Sequence, residues 1–198
     1  MSAITLPRHS GPAGRAGRAG GATRSLALGL ALLLIAGAVA LLAFQVRFRA
    51  AEAVVAARLM DPFVAGTTAP AGPIVWFGLG TDGVTGFMIT PLCSTVILVT
   101  PLMALAGVML LVRPLSTGRT LVGLAIGAAI VAACNLFRYC FAAFALQRWG
   151  EPGFEAVHRY AGSLLVIAGF ITAFILLLRL ATATPSAARR LQNRGRHS

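Results

Sequence analysis

The sequence contains no lysine and only five acidic residues among its 198, so charged side chains make up 11% of the chain. The basic charge is carried by 17 arginines, which give a formal net charge of +12. Hydrophobic residues make up 58%, and the mean hydropathy is +0.84. A water-soluble domain of this size could hardly cover so much apolar surface with polar groups. These values predict an integral membrane protein.

The cysteine and histidine patterns of metal sites are also missing. The three cysteines, Cys93, Cys134 and Cys140, form no CxxC pair and no Cys/His ligand spacing. Neither a disulfide framework nor a metal site is predicted, and no cofactor is expected. A membrane cytochrome would need paired intramembrane histidines, and only His158 is available. The arginines stand between hydrophobic runs and in the terminal segments, so nucleic acid is not an expected partner.

Four hydrophobic runs indicate an all-α membrane protein with about four transmembrane helices. The first run, 26–46, is about 21 residues long, enough to cross a ~30 Å hydrocarbon core. A secretory signal peptide is the competing interpretation, but its apolar stretch is usually only ~7–15 residues. We therefore predict a disordered cytoplasmic tail (1–25), the first transmembrane helix (26–46), an extracytoplasmic segment (47–87), a three-helix membrane core (88–180) and a basic cytoplasmic tail (181–198).

The extracytoplasmic segment is interrupted by acidic residues, prolines and glycines, so it cannot cross the membrane as a helix. Residues 49–60 favour a short interfacial helix. Residues 74–79 and 84–89 flank the sequence Gly80-Thr81-Asp82-Gly83, which is typical of a β-hairpin or a looser turn. We therefore expect a short helix and a hairpin outside the membrane.

The arginine positions predict how the helices cross the membrane. With both termini in the cytoplasm, eleven of the 17 arginines lie on that side and five lie outside. The positive-inside rule favours this orientation and a multi-pass protein of the plasma membrane. The remaining arginine, Arg138, falls within a predicted membrane helix. The three core helices are predicted at 88–112, 121–146 and 160–180.

Cys93, Arg138 and His158 are predicted to lie at the extracytoplasmic end of their respective hydrophobic segments. Cys93 follows the start of its run by about 8 Å at 1.5 Å per residue, and His158 precedes the last run. A membrane arginine is costly and normally faces the bundle interior with a partner. No acidic residue lies within a predicted span, so a Cys93 thiolate or an anionic transition state is the expected partner. These three groups are the parts of a cysteine acyl-transfer site.

Other side chains near this constellation are candidates for secondary roles. Asn135 and Cys134 share the helix face of Arg138, and Cys134 is a rival for the nucleophilic thiol. Glu155 precedes His158 by three residues, so it could orient the imidazole, although a solvent-side loop carboxylate is its default interpretation. These assignments depend on how the predicted helices pack.

The residues around the constellation resemble the exosortase/archaeosortase family, membrane-embedded counterparts of sortases. The resemblance covers about residues 85–165 and rests on Cys93-Ser94, on Asn135-Leu136-Phe137-Arg138 in the next span, and on His158 at the head of the last. It implies that Cys93 is the nucleophile, that Arg138 is an essential partner and that His158 is the third residue. Ser94 and Asn135 are then supporting residues. One departure is Thr95, where the family usually has glycine.

The resemblance implies a cysteine peptidase or transpeptidase whose thioester is resolved by water or by an amine. It also implies membrane-anchored protein substrates with a C-terminal sorting signal, made of a short motif, a transmembrane helix and a basic cluster. Gly123 and Gly127 form a GxxxG pair that could receive such a helix, although ordinary helix packing is the more common role. Thr95 leaves open a divergent, inactive member, and the rival class is a non-catalytic membrane scaffold or assembly factor.

Overall fold

The computed structural model describes residues 16–112 and 115–183. A 3₁₀ turn, Pro91–Cys93, and a π-helical turn, Ala156–Ala161, lie between the regular elements of these residues. In chain order the regular elements are α1 (Ala16–Ala43), α2 (Gln45–Met60), β1 (Thr67–Ala71), β2 (Ile74–Leu79), β3 (Thr85–Met88), α3 (Thr95–Val112), α4 (Thr117–Glu155) and α5 (Gly162–Thr182).

Within the described residues, three helical stretches are long and apolar enough to cross a membrane, and the third contains both α4 and α5. These two helices lie antiparallel, because Gly123 of α4 packs against Leu177 of α5 and Gly127 packs against Ala173. The predicted fold class, an all-α membrane protein, is confirmed. The three stretches are Arg24–Ala43, Thr95–Val112 and Thr117–Thr182.

Helix α1 begins at Ala16, inside the segment predicted to be a disordered tail. Adding turns to a helix that a long apolar run has already formed is easier than starting one, so the helix extends upstream of that run, although residues 16–24 include three glycines. A boundary predicted from hydropathy alone therefore lies too far along the chain. Residues 1–15 of the predicted N-terminal tail, and residues 184–198 of the predicted basic tail, are outside the described residues.

The segment predicted at 47–87 forms most of α2 and a three-stranded antiparallel sheet of order β1-β2-β3. Strand β2 pairs with β3, and Val75 lies opposite Phe87, which confirms the predicted hairpin. Strand β1 was not predicted; in it Ala69 lies opposite Trp76. Its sequence, TTAPA, includes Pro70 and shows no alternation of apolar and polar residues, so the strand pattern is absent.

Two clusters of buried apolar side chains hold the helices and the sheet together. The sheet cluster joins α2 and the strands to the second half of α4, and it consists of Ala53, Ala56, Ala57, Met60, Val64, Val75, Phe77, Phe87, Ile89, Tyr139 and Ala143. The bundle cluster joins α1, α3, α4 and α5, and it consists of Ala31, Leu34, Leu102, Ala106, Leu110, Leu124, Val131, Ala173 and Leu177.

Helix α3 begins at Thr95 and not at residue 88, where its hydrophobic run begins. The run is misleading because Met88 ends β3 and Pro91 opens the 3₁₀ turn. Ser94 then has extended backbone angles (φ −76°, ψ 146°), and its Oγ accepts the Val96 N–H at 3.3 Å as a helix N-cap does. Cys93 therefore lies ahead of the membrane helix and not five residues into it.

Helix α4 continues beyond its predicted end at residue 146 and is interrupted at Gly150. Gly150 has a φ of 67°, which favours a residue without a side chain, and Pro152 follows where an N–H is not needed. The chain then enters the π-helical turn, which leads into α5. This turn places His158 just ahead of the last helix.

Candidate active site

The three side chains predicted to converge are in contact. Arg138 Nη2 donates a hydrogen bond to Cys93 Sγ at 3.0 Å and lies 3.1 Å from His158 Nε2. Cys93 Sγ lies 3.5 Å from the same imidazole nitrogen. The thiol comes from the 3₁₀ turn, the guanidinium from α4 and the imidazole from the π-helical turn. This is the arrangement of a nucleophile beside a base and a cation.

The pKa of the Cys93 thiol is lowered from 9.0 to about 7. Burial of the thiol raises its pKa, but hydrogen bonds with His158 and Thr90 and the electrostatic effects of Arg138 and His158 lower it by more. Cys93 is half-buried and lies outside the membrane-spanning stretch of α3. This thiol therefore ionises more readily near neutral pH than an ordinary cysteine.

Arg138 is buried, with 7% of its surface exposed. In the described part of the chain no carboxylate lies within salt-bridge distance of it, so Cys93 and His158 are the contacts of its guanidinium. Gly162 on α5 makes this position possible: a Cβ there would lie 2.6 Å from Arg138 Cγ. Because Gly162 has no side chain, α5 can lie close to α4 at this point, and the Arg138 guanidinium is held toward the thiol.

The His158 ring stacks on Phe154, with the ring centroids 5.1 Å apart and the planes 8° from parallel. A guanidinium only donates, so in the neutral imidazole Nε2 is the acceptor and the ring proton lies on Nδ1. Nδ1 is buried without a hydrogen-bond partner among residues 24–112 and 115–183. The ring is therefore oriented by stacking, and its Nε2 lone pair faces the thiol and the guanidinium.

Glu155 does not orient His158. Its side chain is 60% exposed and lies 3.8 Å from Arg159 Nη1 in an ion pair one helical turn away. The sequence suggested Glu155 because carboxylates commonly orient imidazoles. The aromatic side chain of Phe154, four residues before His158, takes that place, and sequence reasoning missed it because a stacking partner has no motif of its own.

Two side chains of α4 bind the backbone carbonyl of Cys93. Asn135 Nδ2 donates to Cys93 O at 2.9 Å, and the Tyr139 hydroxyl donates to the same oxygen. Asn135 Nδ2 also lies 3.1 Å from Thr95 Oγ1, and both α4 side chains are at most 1% exposed. Asn135 was predicted to support the site, and Tyr139 was not. Thr95, the departure from the usual glycine, is part of the same hydrogen-bonded network.

Glu52 of α2 binds the two residues that follow the nucleophile. Ser94 Oγ donates to Glu52 Oε2 at 2.5 Å, and the Thr95 N–H donates to Glu52 Oε1 at 2.9 Å. This contact was not predicted, although Glu52 shares a helical stripe with the buried residues Ala56 and Met60. A carboxylate on the buried face of an alanine-rich helix was the available signal.

The rival thiol and the glycine pair lie elsewhere. Cys134 packs against Gly169 of α5, where a Cβ would lie 2.7 Å from its Sγ. Gly123 and Gly127 face α5 of the same chain, so their face of α4 is already occupied and cannot receive a substrate helix. A GxxxG pair predicts close helix packing but not the identity of the partner.

Over the parts of the chain described, no group of three or more His, Cys, Asp or Glu side chains is placed to hold a metal ion. The chemistry available is that of a thiol, an imidazole and a guanidinium.

Residues 72–178 match the family model for transmembrane exosortases. The matched region is more than half of the chain, and it contains Cys93, Arg138 and His158. No curated protein and no solved structure matches the chain.

Proposed function

This chain belongs to the transmembrane exosortase family, and we propose that it is a cysteine peptidase or transpeptidase that acts through a thioester on Cys93. Family membership supports, in general terms, a membrane transpeptidase-like role with membrane protein substrates. The observation that carries the proposal is the mutual contact of Cys93 Sγ, Arg138 Nη2 and His158 Nε2, all within 3.5 Å. These groups can form and stabilise a thiolate in one place.

In the first half-reaction, the Cys93 proton moves to His158 Nε2 and the thiolate attacks a substrate carbonyl carbon. The Arg138 guanidinium stabilises first the thiolate and then the oxyanion of the tetrahedral intermediate. Its Nε is buried and unpaired within the described ranges, so its N–H is an available donor. Collapse breaks the C–N bond, the leaving amine takes the proton from His158, and a thioester remains on Cys93.

In the second half-reaction, a nucleophile attacks the thioester carbonyl and gives its proton to His158. The C–S bond then breaks, and the Cys93 thiolate leaves beside the Arg138 guanidinium, which stabilises it. Water as the nucleophile releases a carboxylic acid, whereas an amine forms a new amide. The same three side chains serve both outcomes, so the acceptor determines whether the reaction is proteolysis or transpeptidation.

We further propose that the substrates are exported membrane proteins with a C-terminal sorting signal, cleaved at the extracytoplasmic face. Cys93 lies just beyond the apolar stretch Thr95–Val112. That is the depth at which the transmembrane helix of a substrate would meet its exported part. The arginine distribution supports an orientation with both termini in the cytoplasm.

The test is mass spectrometry of membranes in which the protein is co-expressed with a membrane protein that has a C-terminal helix and basic tail and is encoded near it. Cys140→Ala is a matched control, because Cys140 is half-buried and packs on the sheet cluster as Cys93 does, but no hydrogen bond joins its thiol to Arg138 or His158. The wild type and the control should remove the tail, and Cys93→Ala should not. The new C-terminal mass distinguishes a free acid from an attached amine, and added hydroxylamine should intercept the thioester as a hydroxamate.

Tail removal by Cys93→Ala would contradict the proposal. The substrate could instead keep its full mass with the wild type, Cys140→Ala and Cys93→Ala alike. If a thiol-reactive probe also failed to label Cys93, the non-catalytic scaffold would be favoured.

A further inference from the structure

Glu52 is a buried carboxylate that binds the two residues following Cys93, and it takes no part in the proposed mechanism. We infer that Glu52 is a positioning residue, which holds the segment carrying Cys93 so that the thiol stays against Arg138 and His158. This inference rests on the proposed function, since it assigns Glu52 a role in the same site.

Both oxygens of the carboxylate are engaged with the chain immediately after Cys93. Oε2 accepts the Ser94 hydroxyl at 2.5 Å, and Oε1 accepts the Thr95 N–H at 2.9 Å. The Thr95 N–H is one of the donors that the start of α3 leaves without an intrahelical partner, and the helix dipole favours a negative charge there. The contact therefore anchors the first turn of α3 to α2.

A second side chain of α2 binds the segment ahead of Cys93. Arg49 lies one turn before Glu52, and its Nη1 donates to the Ile89 carbonyl at 3.1 Å. Helix α2 therefore holds the chain at both ends of the short connection from Ile89 to Thr95, with Cys93 between them. The 3₁₀ turn fixes the local backbone through the Cys93 N–H bond to Thr90 O at 3.1 Å, and the two contacts from α2 restrict where the turn, and with it the thiol, can lie.

A capping role alone does not account for a charged residue here. Ser94 Oγ already accepts the Val96 N–H, so the helix has its own N-cap. Glu52 is only 8% exposed, and burying a carboxylate is costly unless both oxygens are well bonded. Meanwhile α4 holds the Cys93 carbonyl from the other side, through Asn135. The thiol contacts of 3.0 and 3.5 Å leave little room for a backbone shift.

The sign of the change in the Cys93 pKa separates positioning from a simple charge effect. If Glu52 acted only through its negative charge, Glu52→Ala would stabilise the nearby thiolate and lower that pKa. If Glu52 positions the segment, its loss moves the thiol away from the guanidinium and imidazole, and the pKa rises toward the ordinary value of a thiol, about 8.5.

The experiment measures the rate at which iodoacetamide alkylates Cys93 in the full-length protein in detergent micelles, as a function of pH, by peptide mass spectrometry. We expect a midpoint near pH 7 for the wild type, and a higher midpoint with about tenfold slower alkylation at pH 7 for Glu52→Ala. Asp61→Ala is the matched control, because Asp61 ends the same helix and binds Thr68 instead of the site. Its midpoint should equal that of the wild type.

Ser94→Ala is the second variant, which decides the question if Glu52→Ala does not fold. It removes one of the two carboxylate bonds, together with the N-cap bond to the Val96 N–H, and leaves every charge in place. Positioning therefore again predicts a higher midpoint, whereas a pure charge effect predicts an unchanged midpoint. A midpoint at or below the wild-type value in either folded variant overturns the inference. Because alkylation needs no substrate, failure of the wild type to process any candidate would count against the proposed function and not against the role of Glu52.

Discussion

The bundle cluster and the site region are built on different interactions, although α3 and α4 pass through both. All nine buried side chains of the bundle cluster are Ala, Leu or Val. Of the six buried polar or charged side chains in the described residues, five lie around Cys93 and the sixth, Thr120, lies near the start of α4. The five are Glu52, Ser94, Thr95, Asn135 and Arg138.

The two regions place different requirements on their residues. Helices in lipid gain little from apolar burial alone, so the bundle depends on shape and close packing, and a residue of similar size can replace another. The site depends on donors and acceptors at defined positions, where one missing atom leaves a buried polar partner unpaired. Substitutions in the bundle should therefore change stability, and substitutions in the site should change thiol chemistry.

The largest effect is expected from Arg138→Gln. Losing the guanidinium should slow substrate processing by about 10²- to 10³-fold, as the loss of one transition-state donor does elsewhere. The positive charge of Arg138 also lowers the Cys93 pKa, so the variant should alkylate with a midpoint above pH 7. Processing kinetics and the pH dependence of iodoacetamide labelling measure the two effects.

The control for that variant is Arg148→Gln, an exposed arginine farther along α4. It should process substrate and alkylate like the wild type. An unchanged midpoint in Arg138→Gln would mean that the guanidinium does not act on the thiol, and the site would lose its defining contact.

Gly162→Ala should have the next largest effect. The added Cβ would lie 2.6 Å from Arg138 Cγ and 2.9 Å from Cδ, so the arginine side chain must move. A displacement of about 1 Å at a reacting group can cost up to 10²-fold in rate, and we expect a loss of roughly 10- to 100-fold in kcat. Gly118→Ala is the matched control, because no atom outside its own stretch of helix backbone lies within 4 Å of that Cβ position. If Gly162→Ala and Gly118→Ala were equally active, the close contact at Gly162 would not be needed to position Arg138.

Phe154→Leu should have a smaller effect on the same chemistry. The stacked ring orients the His158 imidazole, and such contacts are worth about 0.5–1.5 kcal/mol, so kcat should fall by roughly 2- to 10-fold. Phe154→Tyr keeps the stacked ring, so this variant should retain the wild-type kcat. If both variants lose activity equally, some property other than stacking accounts for the role of Phe154.

The parts of the site that could be predicted from the sequence are those fixed by the cost of burying charge. An arginine in an apolar helix needs a partner or a role, and the Cys93 thiolate was the anionic group available at its depth, with His158 beside it. Long apolar runs likewise predicted the class of fold. The start of α3 could not be predicted, because the hydrophobic run continues through the end of β3 and the 3₁₀ turn.

The missed contacts join segments that are distant in the chain. Glu52 binds Ser94 and Thr95 across more than forty residues, and no local spacing indicates that α2 packs beside the start of α3. Tyr139 was likewise passed over, because an aromatic residue next to Arg138 is normally a packing residue. The glycine pair on α4 was recognised, but its partner proved to be α5. Tertiary packing decides each of these contacts, and one sequence does not specify it.

The smallest effect on thiol chemistry is expected from Leu102→Ala in the bundle cluster. Leu102 is 1% exposed on α3, two turns and about 10 Å beyond Thr95, so the two regions are compared on one helix. The cavity should destabilise the protein by about 2 kcal/mol or more, which thermal unfolding in detergent detects. The alkylation midpoint of Cys93 should stay near pH 7, because Glu52 and Asn135 hold the start of α3 independently of packing below it. A midpoint that rises as in Arg138→Gln would show instead that bundle packing positions the nucleophile, and that the two regions are one cooperative unit.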